Sequence, residues 1–127
     1  MRLLMSGTVS RFATEEPTAC AVCRRHAVWL GYGPPKRERP PVIWLCDDNA
    51  CHAAAKKVYA MPKEMLDAYE ICAALEAGAE AGGYLEEISK TDIATLDAGE
   101  WREFLRRLFV GYELALRRKI LNNEPPF

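Results

Sequence analysis

The chain has 127 residues, 50% of them hydrophobic and 28% charged, with a net charge of −1. These values fit an ordinary globular protein of one domain, or of two very small lobes. No run approaches the ~18–20 apolar residues of a membrane helix, and the opening "MRLLMSGTVSRF" is too short in its apolar part for a secretory signal. An intracellular protein is therefore expected, and its five cysteines point to metal or redox use more than to disulfides. The net charge hides an asymmetry. Residues 1–60 carry nine Lys/Arg and five Asp/Glu (+4), whereas residues 61–127 carry eight and thirteen (−5).

In chain order, residues 1–18 show no period and read as a flexible N-terminal segment. "AVWLGYG" (27–33) and "VIWLC" (42–46) read as strands of a hairpin, joined by the proline-bracketed basic tip "PPKRERPP" (34–41). "DDNACHAAAKKVYAM" (47–61) changes character: Asp47, Asp48 and Asn49 are N-cap types and Ala-rich helix formers follow. Pro62 suits the first turn of another helix. After it, Met65, Leu66, Tyr69, Cys72, Ala73 and Leu75 recur at helical spacing, with Cys72 read as a buried thiol. Residues 73–83 are mostly small, and Gly82–Gly83 either permit a close approach or break the helix. "SKTDIATL" (89–96) is a connector. Asp97 and Glu100 then form a capping-box pattern. In the last helix, Trp101, Phe104, Leu105, Leu108, Phe109, Tyr112, Ala115 and Leu116 make one apolar stripe, with Trp101, Phe104 and Tyr112 assigned to the core. Arg117, Arg118 and Lys119 complement its negative end, and "NNEPPF" stops it.

The chemistry lies in the spacing Cys20-x2-Cys23-x22-Cys46-x4-Cys51. A CxxC turn aims two sulfurs to one side, a hairpin returns the chain, and the second pair arrives at a helix N-terminus, which favours thiolates. Four thiolates suit one structural Zn2+ per chain. The alternatives are His52 in place of Cys51, or His26 in place of one member. The order of ligand knuckle, hairpin and ligand-bearing helix defines a zinc-ribbon or treble-clef-like module. The expected fold is thus α+β: zinc-ribbon module over 19–61, then a helical hairpin over 62–127 packing on it. There is no HEXXH motif, no phosphate-binding Gly loop and no His-x-Glu ahead of the cysteine pair, so no catalytic residue is assigned.

Taken together, "CAVC…GYGPP…WLCDD…C", "GGYLEEISKTDIATLDAGEWREFLRRLFVGYE" and "EPPF" resemble small zinc-ribbon proteins encoded by phages and prophages of proteobacteria. The resemblance covers residues 20–127 and is most specific in its C-terminal block. It implies a viral accessory protein in the bacterial cytoplasm, a metal role for the four cysteines and no catalytic residue. Two partner classes follow. One is a host or phage protein bound by the helical region; host takeover or defence inhibition, including an anti-CRISPR role, belongs here. Its acidic stretch 64–103, with eleven Asp/Glu against two Lys/Arg, either imitates nucleic acid or is simply a solvated face. The other is nucleic acid bound through Arg24, Arg25, Lys36, Arg37, Arg39, Lys56 and Lys57, with Trp29, Tyr32 and Trp44 stacking on bases or packing over the metal. No small-molecule substrate is expected.

Overall fold

The computed structural model describes residues 17–33 and 42–124. It is α+β: a two-stranded antiparallel hairpin and three helices. Strands β1 (Leu30–Tyr32) and β2 (Ile43–Leu45) pair Leu30 with Leu45, Gly31 with Trp44 and Tyr32 with Ile43. Both are shorter than the apolar runs suggested. Trp29 adopts φ 63°, a left-handed conformation that ends the regular ladder, although the Val28 amide still donates to the Leu45 carbonyl. Gly31 answers a steric demand. A Cβ there would stand 3.2 Å from the Trp44 ring.

Helix α1 (Asn49–Ala60) starts at Asp48, whose side chain accepts from the Ala50 amide. It buries Cys51, Ala54, Ala55, Val58 and Tyr59. Helix α2 (Lys63–Glu87) runs 25 residues without interruption through Gly82–Gly83. A short 3-10 turn at Ile93–Thr95 leads to α3 (Ala98–Leu121), which opens on a complete capping box between Asp97 and Glu100. Helices α2 and α3 form the long hairpin. Gly111 lets them approach, because a Cβ there would already lie 3.4 Å from the Cα of Ala77.

One core joins the two halves. Ile43, Val58 and the cysteines of the front half meet Leu66, Tyr69 and Ala73 of α2 and Ala115, Leu116 and Ile120 of α3. The buried ridge of α2 is Leu66, Tyr69, Ala73, Ala77 and Ala81. It is narrower than the expected stripe, and Met65 and Leu75 lie outside it, exposed. Cys72 is half-buried. Trp101 and Phe109 are likewise exposed rather than core, and Phe104 and Tyr112 are half-buried. The physical reason is the partner count. Near Leu116 and Ile120, α3 packs on both α2 and α1, but farther out each helix has only the other to cover it. A two-helix layer buries a single narrow ridge per helix.

Side-chain links fasten the halves. Arg24 donates to Glu70 at 2.6 Å, Arg117 to Asp48 at 2.9 Å, and Lys57 to the carbonyls of Ile120 and Leu121, both at 3.1 Å; Arg25 lies 4.0 Å from Glu113. The Lys57 bonds fill acceptors that the end of α3 leaves open. Among the described residues, no helix is long and apolar enough to cross a membrane.

Candidate metal centre

Three separate elements deliver the sulfurs. The first is a tight knuckle closed by an antiparallel bridge between Ala19 and His26. Within it the Arg24 amide donates to the Cys20 carbonyl at 2.9 Å, and the Cys20 amide to the Arg25 carbonyl at 2.6 Å. The turn drives Arg24 to φ 74°, a conformation that costs a non-glycine residue about 1–2 kcal/mol. Its guanidinium offsets this strain by bonding the Ala21 carbonyl and Glu70. Cys20 and Cys23 therefore point to the same side. Cys46 follows directly from β2, and Cys51 lies in the first turn of α1.

All four cysteines are buried and unbridged, and their sulfurs lie within 4.8 Å of one another. Cys23 and Cys46 are separated by 3.8 Å, Sγ to Sγ. A tetrahedron with metal–sulfur bonds of ~2.3 Å has edges of about 3.8 Å, so the cluster is compatible with one metal ion. Its protons are unevenly shared. S–H donation from Cys23 and then Cys51 holds the Cys20 thiol far below the ordinary range. Cys23 is pushed up to about 12, chiefly because it keeps the proton it donates to Cys20. Cys51 is raised in the same way by Cys20 and Cys23, with burial adding to the rise and Arg117 pulling against it.

Around the sulfurs, Arg117 of α3 donates both to Asp48 at 2.9 Å and toward the Cys51 sulfur at 3.7 Å. Its side chain is only 16% exposed. Sequence reading assigned Arg117 to the negative end of its own helix. The structure instead bends it back to the cysteine cluster, and Lys57 takes the helix-end carbonyls. His52 stands outside the cluster, with Nε2 on the Cys46 carbonyl at 2.8 Å. His26 is exposed at the base of the knuckle.

The basic residues scatter. Arg24 is drawn inward onto Glu70, and Lys57 onto the end of α3. Arg25 and Lys56 remain on the surface. Lys36, Arg37 and Arg39 lie outside the described residues. Among the aromatics, Tyr32 packs edge-on against Tyr59, and Trp44 meets Trp29 at 5.8 Å between ring centroids. Trp29 itself is 76% exposed. Comparison with family models, curated proteins and solved structures finds no match for this chain.

Proposed function

We propose that the chain is a non-enzymatic binding module whose front half is a zinc ribbon, closed by one Zn2+ on Cys20, Cys23, Cys46 and Cys51. The observation that carries this reading is the burial of four convergent thiols from three elements. Zinc favours four thiolates at this spacing, and such a shell leaves no coordination position for water or substrate. The metal would supply structure: it would hold knuckle, strand and helix together in a lobe too small to bury much surface by itself.

The working surface would then be the helical hairpin, engaging a host or phage protein in the bacterial cytoplasm. Exposed Val110 and Leu114, which line one groove of the hairpin, support it, since adjoining exposed apolar side chains mark interaction sites. The phage origin rests on the sequence resemblance described above. Affinity purification from infected or host cells, with the full chain as bait and a nuclease-treated arm in parallel, tests the reading. A stoichiometric protein that survives nuclease supports it; recovery of nucleic acid alone refutes it.

A second reading, nucleic-acid binding by the front half, is favoured by one observation: the indole of Trp29 is presented to solvent on the hairpin, as a base-stacking platform would be. It predicts a gel shift that falls steeply with salt, and that weakens and loses part of that salt dependence when Lys36, Arg37 and Arg39 are replaced by Ala. No shift with the unmodified chain removes this reading.

A further inference from the structure

One side of the α2–α3 hairpin is apolar on both helices, and no described residue covers it. A shallow groove between the helices is lined by Asp67, Glu70, Ile71, Ala74 and Tyr112, so Ile71 and Tyr112 share that side. From Ile71, the positions 75, 78 and 82 follow at steps of four, three and four. From Tyr112, the positions 109 and 105 follow at steps of three and four. Each set is a coiled-coil spacing that keeps to one helix face. The α2 set is Ile71, Leu75, Gly78 and Gly82; the α3 set is Leu105, Phe109 and Tyr112. Ile71, Leu75 and Phe109 are 61%, 71% and 60% exposed.

Among the described residues, nothing explains these glycines. A Cβ built on Gly78 or Gly82 meets no atom within 4 Å. Glycine weakens a helix interior, and no contact among the described residues uses the space it leaves. The same face thus carries a hole at Gly78 and Gly82 and a knob at Phe109. The two are level. Gly111 abuts Ala77 and the helices run in opposite directions, so Phe109 stands at the height of Ala79, between the two glycines. By the same count Arg102, three positions before Leu105 and on its face, stands at the height of Glu86, four positions after Gly82 and on that glycine's face. Both are exposed charges with no ion pair recorded among the described residues.

We propose that this face is an interface with a second copy of the chain, forming a four-helix bundle about a two-fold axis parallel to the helices. That symmetry sets α3 of each copy against α2 of the other at unchanged height. Phe109 of one copy then enters the Gly78–Gly82 hole of its mate, and Arg102 meets Glu86. Every helix has antiparallel neighbours, as in up-and-down bundles. Knob, hole, cation and anion all lie on one surface at matching levels, which is what an isologous contact requires. The inference goes beyond the binding-module reading: it gives Ile71, Leu75 and Phe109 to the second copy and leaves Val110 and Leu114, which line a separate groove of the hairpin, to a further protein.

Sedimentation velocity on the full metal-loaded chain, from about 1 to about 100 µM, tests it, since a self-associating chain responds to concentration by mass action. The expected result is a species of twice the 14.3 kDa chain mass that dissociates on dilution. Gly82→Leu fills the hole, and its Cβ meets no described atom within 4 Å. It should raise the dimer dissociation constant at least ~tenfold, while helicity and the thermal midpoint, both measured at concentrations where the two proteins are monomeric, hold or rise. Arg102→Glu should weaken the dimer, and adding Glu86→Arg should restore it. A monomer at every concentration would give the face to some other protein and overturn the proposal. So would a dimer indifferent to Gly82→Leu, or failure of the charge swap to recover association.

Discussion

Replacing Arg117 by Met keeps the length and apolar stem of the side chain and removes only its guanidinium. Two contacts disappear: the 2.9 Å pair with Asp48 and the 3.7 Å approach to the Cys51 sulfur. Asp48 is about one-third exposed and keeps its bond to the Ala50 amide, so the Asp48 pair is worth at most ~1 kcal/mol. The second contact matters more for the metal. Four thiolates around a divalent ion carry a net charge of about −2, and Arg117 is the cation that reaches the sulfur of Cys51. Loss of such an outer partner typically costs 10–100-fold in metal affinity, or about 1.4–2.7 kcal/mol. Competition for Zn2+ against a chromophoric chelator reads this directly. Arg117→Met should release zinc at 10–100-fold lower chelator, and Arg117→Lys, which keeps the charge but loses the planar fork, should recover part of the difference. An affinity within twofold of the unmodified chain would refute the reasoning. If the unmodified chain binds no zinc, the fault lies with the metal assignment instead.

Other outcomes follow from the same geometry. Gly111→Leu must push α3 off the Ala77 backbone, so its urea midpoint should drop by the equivalent of ~1–3 kcal/mol. Asp97→Ala removes the side-chain half of the box that receives the Glu100 amide at 2.8 Å, and thermal unfolding should show a loss of ~1 kcal/mol. Metal loading should release protons, because Cys23 and Cys51 hold theirs above the ordinary thiol range until the metal takes them. Acidification returns those protons, so zinc affinity should fall as pH drops from about 8 to about 6. Calorimetry in buffers of different ionisation enthalpy measures the protons released, and identical heats in all buffers would contradict this.

Much of the fold was legible because local signals agreed with it. Asp48 and Asp97 announce their helices by side chains that cap within two or three residues, and both caps form as the sequence implies. The knuckle, hairpin and helix order brings the four cysteines together because each pair sits on a local turn or end whose geometry is short-range. The failures involve partners far apart in sequence. Arg117 reaches a residue 69 positions away, and nothing near it distinguishes it from Arg118, which pairs with Glu76. The apolar spacing in α2 and α3 correctly indicated helix, yet it overstated the core. Periodicity says that Leu75 and Phe109 repeat with the helix turn; it does not say whether another element arrives to cover them. Gly82–Gly83 show the complementary case, where packing along a long hairpin sustains a helix through residues of poor intrinsic propensity.

The central claim is that one ion on four sulfurs holds the front half in shape. Native mass spectrometry of the purified chain, repeated after a strong chelator and paired with far-UV circular dichroism, tests it most directly. The account predicts one zinc per chain, lost on chelation together with the structure of the Cys20–Ala60 region. A chain that carries no metal, and whose fold and stability are the same before and after chelation, would contradict it.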